Sequence, residues 1–251
     1  MNNLFSAENP FFTFMGKVVD VLVLNTMWLL VCVPLPLLSI VLFGKTGNTW
    51  LSVLTIIAML PVVPATTALY YAMVKSVRKE RSYAAKEFFS SFASNFKQGS
   101  ILTAIALVVI TLLYIDFQYA WNLMSAQGTW GNLYLGIFIV MSLLFIGMYI
   151  YVCPVLSRFD MKVSAILKIT FVMGARHLLT TIGLFVLAVA TLLGCYLLLP
   201  FGVCFLPAAA TLIASFVIEP VFKHYMPEKE EREVDEFGDE IGQTKDEWYL
   251  D

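Results

Sequence analysis

Long apolar runs alternate along this chain with short stretches that gather most of the charge. Six runs, at about 18–43, 50–74, 99–121, 132–156, 178–200 and 202–222, each have the length that a helix rising 1.5 Å per residue needs to cross a bilayer. The pattern predicts an all-α, polytopic membrane protein of six transmembrane helices. Pro34 and Pro36 predict a bend or an early end in the first run, because proline removes a backbone donor and clashes with the preceding turn. Pro200, Gly202 and Pro207 leave only a tight turn between the last two runs.

Two of the stretches between runs have a helical period of their own. In 84–98, Phe88, Phe92 and Phe96 recur every four residues with Ala85 and Phe89 beside them, while Lys86, Ser90, Ser91 and Ser94 take other faces. In 159–174, Phe159, Val163, Ile166, Leu167 and Thr170 form a similar stripe, with Lys162 and Lys168 off it. Both read as amphipathic helical loops that lie on lipid or dock a partner. The predicted contact residues are Lys75, Arg78, Phe88, Phe92, Phe96, Lys97, Arg158 and Arg176.

Charge orients the bundle. The loops at 44–49, 122–131 and 200–202 carry one basic residue, Lys45. The segments 75–98 and 157–177 carry ten: Lys75, Arg78, Lys79, Arg81, Lys86, Lys97, Arg158, Lys162, Lys168 and Arg176. Because translocating Lys and Arg is costly, this asymmetry predicts that both long loops and both termini are cytoplasmic. Trp50, Trp121 and Trp130 fall at the opposite boundaries, where amphipathic rings settle. Composition agrees: 59% of the residues are hydrophobic, 14% are charged, and the mean hydropathy is +0.80, outside the range of soluble domains.

The net charge of −2 conceals a division. From Met226 onward there are eleven acidic residues against Lys229, Arg232 and Lys245, a net of −8, so the rest carries +6. Three regions follow: an interfacial N-terminal segment at 1–17, a six-helix membrane domain at 18–226, and an acidic, disordered cytoplasmic tail at 227–251. Residues 1–16 lack the basic cluster of a cleavable signal, and no small-x-small site follows the first run.

Candidate chemistry is sparse. Asp116, in the third run and near Trp121, is the one polar intramembrane site, suited to a cation, a proton or a sugar hydroxyl, or to a solvated place at the interface. Glu219 and Lys223 have the spacing of an i,i+4 ion pair. His177 and His224 are far apart in sequence, so no metal site is expected. Cys32, Cys153, Cys195 and Cys204 read as small buried hydrophobes. Pro64 and Thr67, and the small residues Ala210 and Ala214, read as helix-packing positions. No phosphate-binding G-x-x-x-x-G-K-[ST], no H-E-x-x-H and no G-x-S-x-G occurs. No catalytic residue, cofactor, metal or nucleic-acid partner is therefore expected, and the protein reads as non-enzymatic.

Several separate segments carry a resemblance. They are Asn25-Thr-Met-Trp28, Pro64-Ala-Thr-Thr-Ala-Leu-Tyr-Tyr71 with Lys75 and Arg78, Asn95-Phe-Lys-Gln98, Pro154-Val-Leu-Ser-Arg158-Phe, Arg176-His177-Leu, and Glu219-Pro-Val-Phe-Lys-His-Tyr-Met226. In this order they resemble the YesL-like family, a domain-of-unknown-function group of bacterial integral membrane proteins found mainly in Firmicutes. The resemblance implies a location in the bacterial cell membrane. It also implies an accessory role beside carbohydrate ABC importers, whose subunits would be the partners together with the lipid bilayer. The acidic tail is not part of that pattern. A transporter or channel using Asp116, and a sensor signalling through the tail, are the alternatives.

Overall fold

A computed structural model of the protein describes residues 10–46, 49–78 and 83–225. The expectations for residues 1–9 and for the acidic tail, and the cations Lys79 and Arg81, lie outside them. The described residues are helical, with no strand among them, and six helical segments are long and apolar enough to cross a membrane. Helices satisfy every backbone donor and acceptor within one segment, which is what a medium without water demands.

The breaks fall where proline predicts them. The first span is α1 (Pro10–Cys32) followed by α2 (Pro34–Thr46). The second is α3 (Thr49–Met59) and α4 (Val62–Ala72), interrupted at Pro61 and ending in a π-helical stretch, Met73–Arg78. The fourth is α6 (Thr129–Ile150) and α7 (Val152–Arg158), interrupted at Tyr151 three residues before Pro154. The fifth and sixth are α9 (Leu178–Leu197) and α10 (Phe201–Lys223), joined by the expected tight turn. Pro10–Lys17 continue α1, so this part of the N-terminal segment extends the first span instead of forming an element of its own.

The third span corrects an expectation. Residues 84–98 do not form a separate loop helix; they open α5 (Ala84–Gln127), a single helix of 44 residues. At 1.5 Å per residue it is about 66 Å long, against roughly 40–45 Å for a bilayer with its headgroups. No proline lies between Ala84 and Gln127, so nothing ends the helix where its composition changes from polar to apolar. The second amphipathic segment becomes helical only from Val163: α8 (Val163–Arg176) buries Ile166 and Thr170, packs Val163 and Leu167 against the core and exposes Lys168, while Phe159, also packed on the core, and exposed Lys162 precede it in non-helical chain.

The packed core lies in one half of the bundle. Its larger cluster joins Val63, Tyr70 and Val74 to Leu102, Tyr151, Val152, Val155, Leu156, Ile166, Met173, Leu184, Ile218 and Phe222. The smaller joins Val21 and Leu24 of α1 to Ala68, Leu69, Ala72, Met73, Phe88 and Ala208. Both sit toward the end that carries the cations. Toward the other end, marked by exposed Trp50, Trp121 and Trp130, the spans present apolar side chains outward, as lipid contact allows.

Candidate functional site

Two proline breaks are mended by side chains from neighbouring helices. Pro207 in α10 has no N–H to give the carbonyl of Val203, and its ring displaces the next turn's bonding. Asn25 of α1, fully buried, fills the gap: its amide donates to the Val203 carbonyl (3.1 Å) and its oxygen accepts from the Ala208 N–H (3.0 Å). Pro64 in α4 leaves the Leu60 carbonyl without its donor in the same way, and Thr103 of α5 donates to it (3.0 Å). Beside it, Gly99 lets α5 approach the proline ring, since a Cβ there would lie 2.8 Å from Pro64 Cδ. Polar residues from adjacent helices are the usual way membrane proteins tolerate proline.

Charged braces cluster where α4, α5, α7 and α10 meet. Arg158 Nη2 lies 2.5 Å from Glu219 Oε1, with side-chain exposures of 1% and 14%. Tyr70 donates to the same oxygen (3.3 Å). On the other side of α4, Lys75 pairs with Glu87 (2.9 Å) and donates to Tyr71 Oη (3.1 Å). The π-helical stretch then carries Arg78 to α10, where it donates to the Ser215 carbonyl (2.9 Å) and lies over the Phe216 ring. Two adjacent tyrosines thus each meet one ion pair. Such pairs hold geometry more than they add stability, and removing one partner is costly.

Between these braces opens a cleft of about 450 Å³. One wall is a stripe of α5: Ser90, Ser91, Ser94, Asn95 and Gln98. The opposite wall is Leu156–Asp160 at the end of α7, and Tyr71 of α4 also lines it. Ser94 donates to the Ser91 carbonyl (3.1 Å), Asn95 Nδ2 to the same carbonyl (3.0 Å), and Ser157 to the Pro154 carbonyl (2.6 Å). These bonds engage the Ser94 and Ser157 protons and one side of the Asn95 amide, and leave Asn95 Oδ1 an available acceptor beside the Ser90 and Gln98 side chains. Phe159 closes one edge and packs edge-on against Phe222 of α10, with ring centroids 5.6 Å apart.

The placement of the expected residues is mixed. Lys75, Arg78 and Arg158, expected to meet a partner, are internal braces. Phe88 is fully buried in the core, so the phenylalanine face is divided: Phe92 is half-buried against the same cluster, and Phe89 and Phe96 are exposed. The reason is the close packing of α5 on α4, which takes one edge of the stripe. Lys97 and Arg176 are exposed, as a contact residue must be. Glu219 pairs with Arg158 across 61 positions, where the local spacing favoured Lys223; Lys223 is exposed.

Asp116 is exposed on α5 and is not among the residues lining the cleft. Pro64 and Thr67 are buried as packing residues should be, whereas Ala210 and Ala214 are half-buried. Close approaches of backbones are made instead by glycine: a Cβ on Gly174 would lie 3.2 Å from the Gly147 carbonyl oxygen, and one on Gly202 would lie 2.7 Å from that of Gly194. His177 and His224, distant in sequence, come together with ring centroids 6.5 Å apart, and His177 Nε2 lies 3.3 Å from Tyr225 Oη. Among the described residues no three metal-ligating side chains gather. All four cysteines are free thiols, and Cys204 is exposed where burial was expected.

The cleft's α5 wall had a visible signal. Ser90, Ser91, Ser94, Asn95 and Gln98 recur at i, i+1, i+4, i+5 and i+8, a stripe of uncharged polar residues along one helix face. It reads naturally as the wet back of an amphipathic helix, and only the neighbouring α7 turns it into a wall.

Residues 21–117 match the family model described as "Protein of unknown function, DUF624". This stretch includes Asn25, the Pro64–Arg78 segment and the α5 wall of the cleft. The chain is also similar to "Uncharacterized protein YteU" of Bacillus subtilis (strain 168), with 25% identity over 150 residues, 59% of this chain. The match spans 66% of that relative's length, just under two thirds. No solved structure matches.

Proposed function

We propose that this chain, a member of the YesL-like DUF624 family, is a non-enzymatic accessory component of a carbohydrate uptake system of the ABC type. It is held in the bacterial cell membrane with both termini cytoplasmic. The observation that carries the reading is a polar cleft at the basic end of a bundle whose remaining surface is largely apolar. A water-facing recess on the cytoplasmic side, with its walls locked by the ion pairs Arg158–Glu219 and Lys75–Glu87, suits a receiving surface. The exposed Phe96, Lys97 and Arg176 supply further contact at the same end.

The reading includes no catalytic step. Ser94 and Ser157 direct their protons to backbone carbonyls, where an activated nucleophile would face a base. It also makes no use of Asp116, which lies eighteen residues beyond Gln98 on α5, about 27 Å along the helix axis. Affinity purification of the full chain from sugar-induced cells tests the reading. Permease and ATPase subunits of an importer are expected to accompany it, and recovery of neither overturns it.

A further inference from the structure

We infer that the basic-end cleft binds a neutral, hydroxyl-rich small molecule, a polyol, in preference to an anion. The inference rests on the cleft being the working site, and its argument lies in the balance of donors, acceptors and charge.

The cleft presents uncharged donors and acceptors side by side: the Ser90, Ser91 and Tyr71 hydroxyls and the Gln98 amide can do both. Asn95 turns its amide Nδ2 toward the Ser91 carbonyl (3.0 Å) and the Ser91 and Ser94 hydroxyl oxygens (3.3 Å each), and keeps Oδ1 as an acceptor. Ser94 and Ser157 spend their protons on backbone carbonyls and keep hydroxyl lone pairs. Asp160, exposed on the opposite wall, adds a carboxylate that only accepts. A ligand carrying several O–H groups supplies donors to this set. A phosphate or carboxylate would set acceptor against acceptor at Asp160 and at Asn95 Oδ1.

Charge points the same way. Arg158 is the cation that lines the cleft, and Glu219 already neutralises it at 2.5 Å. An incoming anion would compete with that carboxylate and meet Asp160 as well. A polycation is disfavoured in turn, because exposed Lys97 and Lys162 are close in sequence to Gln98 and Asp160 on the two walls. What remains favourable is a neutral molecule. The rings of Tyr71 and Phe159 offer apolar faces for the C–H surface of such a molecule. The volume of about 450 Å³ falls within the roughly 300–1,000 Å³ of small-molecule sites.

Titration calorimetry on the full chain tests this. The protein should be held in a detergent without a sugar headgroup, such as lauryldimethylamine oxide, and titrated with sucrose, raffinose, myo-inositol, inorganic phosphate and spermidine. Saturable binding of at least one neutral polyol is expected, with none for phosphate or spermidine. The double substitution Asn95→Leu and Gln98→Leu is expected to weaken it by about tenfold or more. No polyol binding, preferred binding of phosphate or spermidine, or unchanged binding in the double variant would overturn the inference.

A second readout does not depend on that variant folding. Ser90→Cys, at an exposed wall position and introduced after the four native free cysteines are replaced with alanine, should react with a water-soluble maleimide, and the polyol that binds should slow the reaction where phosphate does not. Equal rates with and without the polyol would also overturn it. Importer subunits that fail to co-purify would leave these results standing, so failure of this inference and failure of the accessory role are distinguishable.

Discussion

The two ends of this bundle solve the problem of a polar backbone in an apolar medium differently. At the basic end, helices meet through charges and hydroxyls that reach between segments far apart in sequence: Arg158 to Glu219, Tyr70 to Glu219, Arg78 to Ser215. At the tryptophan end, the spans present leucine, isoleucine and valine outward, and the proline gap at the start of α10 is closed by a single amide, Asn25. The difference teaches where specificity resides. Lipid replaces packing partners at the far end at little cost, because its chains are as apolar as the side chains it touches. The basic end must instead be assembled by partners within the chain.

The comparison can be broken most forcefully at Arg158. Arg158→Ala leaves Glu219 and Tyr70 without their cation in a site where the arginine side chain is 1% exposed, and is expected to destabilise the protein by about 3–5 kcal/mol. Reversible unfolding by SDS in mixed micelles measures this. Replacing both partners, as Arg158→Met with Glu219→Leu, should recover much of the loss, since a buried pair exchanged for apolar side chains is often near neutral. If the double variant is as unstable as the single, the pair is not the brace described.

Asn25→Leu comes next. It strips the Val203 carbonyl and the Ala208 N–H of their partners beside Pro207, and about 2 kcal/mol should be lost in the same assay. Asn25→Asp keeps an acceptor for Ala208 and loses the donor to Val203, so it should retain part of that stability. At the far end, Leu192→Ala, on a side chain 71% exposed, should change stability by less than about 0.5 kcal/mol. A loss there comparable with that of Asn25→Leu would mean the far end is held by a protein surface and not by lipid.

Much of this architecture was legible in the chain. The six apolar runs, the bends at Pro34 and in the second and fourth spans, and the gathering of cations at one end follow from local composition. So does the buried stripe of α8, because its period is written within fourteen residues. What was not legible depends on which helices become neighbours. Glu219 has a plausible local partner in Lys223, and nothing within α10 reveals that α7 delivers Arg158. The phenylalanine stripe at 88–96 was visible, but not that α4 would cover Phe88 and leave Phe96 bare. The serine stripe beside it reads as a wet surface until α7 is placed opposite. Asn25 looks like an isolated polar residue in an apolar run; the missing donor of Pro207, 182 positions later, explains it.

The central proposal is that the recess opens to water at the basic end only, and that this end faces the cytoplasm. Cysteine labelling tests it most directly. Ser94→Cys would be introduced after replacing the four native cysteines with alanine, and treated with a membrane-impermeant maleimide in inside-out vesicles and in intact spheroplasts. Labelling is expected in inside-out vesicles and not in spheroplasts. Labelling in intact spheroplasts would contradict it, showing that the recess is reached from the tryptophan end or that the bundle is oriented the other way.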